Sequence, residues 1–102
     1  MKKIIVLASG SGSNAENIVR YFEDSDLARV ALIVTNNPKA GVIGRARKLG
    51  VSCKVLTNQE VEDGTLEALL AKMRCDLVVL AGFLRKLPPA LTQAFDRKVI
   101  KI

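Results

Sequence analysis

The sequence predicts an α/β fold in which helices cover both faces of a mainly parallel sheet. Its strand-like segments are continuous aliphatic runs, which is typical of strands buried on both faces. Segments with helical periodicity separate these runs, as in parallel sheets built from strand-helix-strand units. A glycine-rich turn, Ala8-Ser9-Gly10-Ser11-Gly12-Ser13-Asn14, follows the first run directly. Together with right-handed crossovers, these observations predict a doubly wound, Rossmann-like sheet with the strand order 3-2-1-4-5.

Five segments are predicted to be strands because each is rich in valine, isoleucine or leucine. They are Ile4–Ala8, Val30–Thr35, Ser52–Leu56, Leu77–Leu80 and Val99–Ile102. The fifth lies at an edge of the predicted sheet, and an uncovered apolar edge strand tends to pair with another chain. We therefore expect that the chain is a fragment, truncated at the fifth strand, or that a partner such as a second copy in a homo-oligomer covers this edge.

Helices are predicted between the strands. The predicted helices are Ala15–Phe22, Val42–Leu49, Glu60–Arg74 and a segment that Pro88-Pro89 opens and that runs through Phe95. Asn14 is the expected N-cap of the first helix, and Gly50 is expected to end the second. The third helix should bury the face formed by Leu66, Leu69, Leu70 and Met73, which recur at intervals of three and four.

Length and composition exclude several classes of protein. The 102 residues predict one small domain, and the net charge of +6 favours anionic ligands. The basic residues are scattered and aromatic residues are few, so we expect no nucleic-acid partner. The apolar N-terminal run is too short for a membrane span. Cys53 and Cys75 form no metal or redox motif, so we expect no metal site and a reducing, cytoplasmic location.

The chain contains no histidine. A serine-histidine pair, a histidine metal ligand and an imidazole general base are therefore all excluded from these residues. Any mechanism that needs an imidazole would have to take it from outside this sequence.

The turn after the first strand predicts an anion site. Small residues let the backbone turn sharply and approach a ligand, and the following helix offers unpaired N–H groups and the positive end of its dipole. Gly10, Gly12 and Ala15 also satisfy the dinucleotide pattern G-x-G-x-x-[GA], which is a weak signal by itself. The alternative is a strand-to-helix turn that needs small residues only for close packing.

An NAD site is disfavoured by the end of the second strand. NAD binding calls for an acidic residue there to hold the ribose hydroxyls, and this chain has Thr35-Asn36-Asn37. NADP remains open, because Lys39 or Arg45 would be suited to a 2′-phosphate. The turn lacks the G-K-[ST] signature, so it is not a P-loop.

A second loop is expected to face the same crevice. Ligands of open parallel sheets bind where the strand order reverses, which here lies between the first and fourth strands. That position brings Ser9–Asn14 beside Ala81–Leu87. The second loop mixes apolar side chains with exposed backbone, which suits a flat heteroaromatic ring. The alternative is an ordinary connection to a proline-opened helix.

Three segments together resemble phosphoribosylglycinamide formyltransferase, the folate-dependent enzyme family of purine biosynthesis. The first is Ile5–Asn14, which ends in Ser-Gly-Ser-Gly-Ser-Asn, and the second is Val34-Thr35-Asn36-Asn37 with Gly44-Arg45-Ala46 after it. The third is Asp76–Arg85, with the core Val-Val-Leu-Ala-Gly-Phe-Leu-Arg. Their order and spacing extend the resemblance over essentially the whole chain.

The resemblance implies a function and roles for particular residues. A formyl group would pass from 10-formyltetrahydrofolate, the co-substrate, to the amine of glycinamide ribonucleotide, with no metal. The backbone of Gly12, Ser13 and Asn14 would hold the 5′-phosphate of the ribonucleotide. The segment Leu84, Arg85, Lys86 and Leu87 would line the pterin pocket, partly through backbone hydrogen bonds.

The chain also departs from the family. The family's chemistry rests on an asparagine, a histidine two residues later and a more distant aspartate, and Lys101 occupies the asparagine position here. We therefore expect no catalytic residue within the chain, and we expect residues 1–102 to be one N-terminal, nucleotide-binding formyltransferase-type domain that is incomplete at its C-terminus. The expected activity is phosphate binding without turnover. The alternative is a non-catalytic Rossmann-like module for NADP or another phosphate ligand.

Overall fold

The computed structural model describes residues Met1–Ile102 and contains five strands and five helices, with one helix between successive strands except for two between the third and fourth. The strands are β1 (Lys2–Leu7), β2 (Ala28–Thr35), β3 (Cys53–Val55), β4 (Leu77–Leu80) and β5 (Val99–Lys101). The helices are α1 (Ser13–Tyr21), α2 (Gly41–Leu49), α3 (Asn58–Glu62), α4 (Thr65–Lys72) and α5 (Pro89–Ala94). Each predicted strand is present with boundaries shifted by at most two residues.

All strands are parallel and form one sheet in the order β3-β2-β1-β4-β5. This confirms the predicted doubly wound fold and its strand order. The order reverses between β1 and β4, so the carboxyl ends of these two strands lie side by side. β3 and β5 form the two edges of the sheet.

Two apolar cores lie on opposite faces of the sheet. Alternate residues of β1 divide between them, since Ile4 and Val6 face one core whereas Ile5 and Leu7 face the other. The first face packs against α1 and α2 through small side chains, namely Ala15, Val19, Val42 and Ala46. The second packs against α3, α4 and α5 through Val61, Leu66, Leu70 and Leu91. Burial on both faces explains why the strands are aliphatic throughout.

Two predictions about the helices hold. Gly50 ends α2 with a φ of 72°, a left-handed conformation that glycine adopts without steric strain. On α4, Leu66 and Leu70 are fully buried, and Leu69 and Met73 are partly buried against the same core.

The predicted helix Glu60–Arg74 is wrong as a single element, because the chain breaks at Asp63-Gly64. α3 begins with a capping box, in which Thr57 Oγ1 accepts from the Glu60 N–H and Glu60 Oε1 accepts from the Thr57 N–H. Gly64 then has a φ of 99°, and the Asp63 carboxylate accepts from the N–H and hydroxyl of Thr65. These local bonds turn the chain and start α4 as a new helix.

The predicted N-cap Asn14 is also wrong. Gly12 occupies the N-cap position with a φ of 82°, and Asn14 already lies in the first turn of α1. Because Gly12 adopts a left-handed conformation, α1 begins at Ser13, two residues earlier than it would with Asn14 as the side-chain cap. No side chain caps α1, so its first N–H groups are left free.

The longest helices, α1 and α2, have nine residues each, and no helix has the length and hydropathy of a membrane span. Cys53 lies in β3 and Cys75 is buried just before β4, and both are free thiols. Burial raises the pKa of each thiol above its ordinary value.

Replacing Gly64 with alanine tests the break between α3 and α4. A Cβ at Gly64 meets no atom within 4 Å, so the substitution causes no steric clash with other residues and affects only the φ and ψ angles that residue 64 favours. We expect Gly64→Ala to lower the free energy of unfolding by about 1–2 kcal/mol, because alanine is strained at positive φ. Urea denaturation measures the change.

The matched control is Gly44→Ala within α2, where a Cβ also meets nothing within 4 Å and the backbone is helical. This variant should be more stable by about 0.5–1 kcal/mol, because alanine is the better helix former. Equal effects of the two substitutions would contradict the assigned break.

Candidate functional site

The carboxyl ends of β1 and β4 place two loops next to each other, as the strand order predicts. We call residues 9–14 the anion loop and residues 82–87 the ring loop. The Ser9 N–H donates to the Gly82 carbonyl at 3.2 Å, and the Leu84 N–H donates to Ser9 Oγ at 2.9 Å. The two loops therefore form one crevice at the point where the strand order reverses.

The anion loop presents a run of unpaired backbone donors. None of the five consecutive N–H groups from Gly10 to Asn14 donates a hydrogen bond within the chain. A cavity of about 100 Å³ lies against them, lined by Gly10, Ser11, Gly12, Ser13, Asn14, Ala81 and Gly82. No acidic side chain lines it, and the positive end of the α1 dipole adjoins it. This arrangement suits an oxyanion bound by main-chain donors.

Close packing against α2 determines the shape of the anion loop. A Cβ built on Gly12 would lie 2.4 Å from Val42 Cγ2 and 2.8 Å from Val42 Cα. The Val42 N–H donates to the Gly10 carbonyl at 3.1 Å. Glycine at position 12 is therefore required both by its positive φ and by the nearness of the α2 backbone.

An arginine and a glutamate hold the loop from outside. Arg45 donates through Nε to the Ser11 carbonyl at 2.7 Å and through a terminal nitrogen to Glu16 Oε1 at 2.8 Å. Arg20 donates to the other oxygen of Glu16 at 2.9 Å. The hydrogen bonds from Arg45 and then Arg20 lower the pKa of the partly exposed Glu16 carboxyl. The Arg45 guanidinium therefore forms its hydrogen bonds with the anion loop and with Glu16 of α1.

The ring loop borders a second, larger cavity of about 580 Å³. Its lining is half apolar and comprises Leu80, Phe83, Leu84, Arg85, Lys86, Leu87, Pro89, Thr92, Val99 and Lys101. The N–H groups of Arg85, Lys86 and Leu87 donate no hydrogen bond within the chain, nor do the carbonyls of residues 84–87 accept one. Leu84 is 85% exposed at the edge of this cavity. Apolar surface beside free backbone groups suits a flat heterocycle.

Charges near the second cavity are mainly basic. Lys86 and Lys101 line it and form no ion pair, whereas Arg85 pairs with Glu62 of α3. Lys101 lies in the edge strand β5, paired in register with Leu80, and its side chain is exposed. The cavity can therefore accept a ligand with negative charge.

A chain of side-chain hydrogen bonds connects the two loops to β2 and α3. Ser9 is 5% exposed, and its hydroxyl donates to Asn36 Oδ1 at 2.6 Å while it accepts from the Leu84 N–H. Asn36 Nδ2 donates in turn to Asn58 Oδ1 at 2.8 Å. The same buried hydroxyl thus joins segments that follow three different strands.

The structure brings each predicted site residue to one of the two cavities. Gly12, Ser13 and Asn14 line the smaller cavity, and residues 84–87 with Lys101 line the larger. Sequence reasoning missed the roles of Ser9, Asn36 and Asn58. Ser9 lies in the glycine-rich turn and Asn36 in the segment after the second strand, and the sequence drew attention to both segments. Only the folded sheet shows that the two side chains are hydrogen-bonded.

A parallel sheet of order 3-2-1-4-5 with a glycine-rich anion loop at its switch point defines a Rossmann-like α/β domain. The sequence model of the family described as formyl transferase matches residues 2–102. The chain belongs to this formyl transferase family, and it matches the N-terminal part of the family's domain.

Relatives within the family carry a common name. The chain is 33% identical to the phosphoribosylglycinamide formyltransferase of Haemophilus influenzae, with 100% of the chain and 51% of that protein covered. It is 36% identical to the enzyme of the same name from Bacillus subtilis, with 100% and 55% covered. The chain thus spans about half the length of the curated relatives it matches.

Solved structures agree with the fold. Glycinamide ribonucleotide transformylase 1 from Geobacillus kaustophilus superposes with a TM-score of 0.89 at 34% identity, covering 99% of this chain and 57% of that one. Phosphoribosylglycinamide formyltransferase from Streptococcus pneumoniae TIGR4 gives a TM-score of 0.86 at 32% identity, with 99% and 56% covered.

Replacing Gly12 with alanine tests the packing of the anion loop. We expect a loss of at least about 2 kcal/mol in the free energy of unfolding, from backbone strain together with the clash at Val42. Gly10→Ala is the control in the same loop, because a Cβ there meets nothing within 4 Å and φ is not positive. It should be neutral or stabilising by up to about 1 kcal/mol in urea denaturation. Comparable losses in both variants would refute the specific role of Gly12.

The arginine contacts of Glu16 predict a pH dependence of stability. Because the folded-state pKa is below its ordinary value of 4.5, the carboxylate stabilises the fold above that pH. This contribution should disappear as pH falls through the lowered pKa. We expect Glu16→Gln to weaken the pH dependence of the urea denaturation midpoint in this acid range. Glu23→Gln, at an exposed carboxylate without an ion pair, should leave the curve unchanged.

Proposed function

We propose that the protein acts in purine biosynthesis by transferring a formyl group from 10-formyltetrahydrofolate to the amine of glycinamide ribonucleotide. In this proposal residues 1–102 form one domain that supplies the binding half of the site. The names of the relatives support the reaction class. The observation that carries the proposal is a pair of hydrogen-bonded loops, one bordering a cavity suited to an oxyanion and the other a cavity suited to a flat ring. We place the protein in the cytoplasm, where free thiols stay reduced.

The first half of the proposal concerns the phosphate. Gly12, Ser13 and Asn14 would donate their N–H groups to the phosphate oxygens of the ribonucleotide. These donors are unpaired, and the positive end of a nine-residue helix reinforces them. Recognition through the main chain also explains why residues with small side chains border the cavity.

The second half concerns the pterin ring. Leu84, Arg85, Lys86 and Leu87 would line its pocket, with the apolar side chains against the ring. The free N–H groups and carbonyls of this segment would pair with the donors and acceptors on the ring edge. Lys86 and Lys101 would favour the carboxylates that a folate carries.

In the proposed reaction the substrate amine attacks the formyl carbon, the bond from that carbon to the folate nitrogen breaks, and the proton that the amine loses ends on the released folate nitrogen. A donor to the tetrahedral oxyanion and a group that moves protons are required. These residues contain no histidine to move the proton, and we assign no catalytic role to Lys101. We therefore propose that the 102-residue chain binds ligand without turnover.

NADP is the competing ligand. Its 2′-phosphate would need a free cation near the end of β2, and the Arg45 guanidinium is already bonded to Ser11 and Glu16. Asn36 is likewise bonded to Ser9 and Asn58. Lys39, the other candidate for a 2′-phosphate, is exposed and forms no ion pair, so NADP binding would depend on this one cation.

Titration with nucleotide ligands tests the proposed function. Glycinamide ribonucleotide should shift the backbone amide resonances of Gly12, Ser13 and Asn14 in ¹H–¹⁵N NMR spectra, and inorganic phosphate should compete with it. The matched control is the same riboside without its phosphate. We expect it to bind at least about tenfold more weakly, because it loses charge-assisted hydrogen bonds.

Two results would count against the proposal. Tighter binding of NADPH than of the ribonucleotide would favour the dinucleotide alternative. Formylation of the ribonucleotide by the purified 102-residue chain would overturn the proposed lack of turnover, since it would require a proton-moving group that we have not identified.

A further inference from the structure

Both hydrogen bonds that cross from the anion loop to the ring loop belong to one residue, Ser9. Its N–H donates to the Gly82 carbonyl and its hydroxyl accepts from the Leu84 N–H. These two contacts flank Phe83, which lines the larger cavity. Ser9 therefore sets the distance between the unpaired donors of one loop and the apolar wall formed by the other.

The Ser9 hydroxyl both donates and accepts a hydrogen bond within the chain. At 5% exposure it has little access to water, so its proton goes to Asn36 Oδ1 and its lone pair is left for Leu84. Asn36 is held in turn by its donation to Asn58 Oδ1 at 2.8 Å.

We infer that Ser9 is a positioning residue that couples anion binding at residues 10–14 to the conformation of the ring loop. Ser9 directly precedes Gly10, so an oxyanion that fixes the N–H groups of Gly10–Asn14 also fixes the backbone on which the Ser9 hydroxyl is mounted. A fixed hydroxyl holds the Leu84 N–H, and with it the segment Leu84–Lys86. The first ligand thus orders the loop that the second ligand meets.

This inference rests on the proposed function for the identity of the two ligands, but its test needs only inorganic phosphate. In the wild-type protein, phosphate should shift the amide resonances of Leu84, Arg85 and Lys86 with the same dissociation constant as those of Gly12–Asn14. It should also slow hydrogen exchange of the Leu84 amide by about fivefold or more, the lower range of typical couplings between sites.

The decisive variant is Ser9→Ala, which removes the acceptor for Leu84 and the donor to Asn36. Phosphate should still shift the resonances of Gly12–Asn14, while those of Leu84–Lys86 become insensitive to it. A purely structural role for Ser9 would alter stability but leave this phosphate response intact.

Two further variants keep the test sharp should Ser9→Ala unfold the protein. Asn36→Ala, at a partly exposed position, leaves the Ser9 hydroxyl in place but free to rotate, and should at least halve the phosphate response of Leu84. Ser52→Ala is the control, because Ser52 is exposed, its hydroxyl makes no hydrogen bond, and it precedes β3 at the opposite end of the sheet. It should behave as the wild type.

The possible failures are distinguishable. If phosphate shifts Gly12–Asn14 in the wild type but leaves Leu84–Lys86 unchanged, the coupling is wrong and the proposed phosphate site stands. An undiminished response of Leu84–Lys86 in Ser9→Ala or Asn36→Ala would also overturn the role of Ser9. If phosphate does not shift Gly12–Asn14 at all, the proposed phosphate site fails and the coupling fails with it.

Discussion

The close packing of Gly12 against Val42 of α2 is the constraint on which the site depends. It leaves no room for a Cβ on Gly12, and the positive φ of this residue takes the chain directly from the turn into α1. Because a helix that starts in this way has no side-chain cap, its first donors stay free. The close packing of α1 on α2 and the availability of the donors therefore have the same cause.

The fold could largely be predicted from the sequence, because continuous aliphatic runs indicate strands that are buried on both faces of a parallel sheet. The strand order followed from the chirality of crossovers, and it correctly placed the anion loop beside the ring loop. The break at Asp63-Gly64 escaped prediction although turn residues mark it. The apolar periodicity of Leu66–Met73 was extended backward over Glu60–Glu62, where a separate capping box starts a short helix of its own.

The candidate site divides in the same way. Residues 12–14 and 84–87 could be predicted because neighbouring residues in the sequence reveal them. The first are small residues directly after a strand, and the second lie in a loop that contains apolar residues. The hydrogen bonds among Ser9, Asn36 and Asn58 could not be predicted, since these partners are 27 and 22 residues apart and meet only when β1 and β2 pair. Similarly, the commitment of Arg45 to Ser11 and Glu16 depends on how α2 packs against α1.

The unpaired donors of the anion loop also limit what mutation can do to this protein. A main-chain N–H is present at almost every position whatever the codon specifies, and proline alone removes it. Selection on this part of the site therefore acts on the backbone conformation of the anion loop, which orients the N–H groups, rather than on the chemical nature of the donors. Variation that preserves the turn would be silent for anion recognition, so divergence in substrate preference would have to arise elsewhere in the crevice, where side chains form the walls.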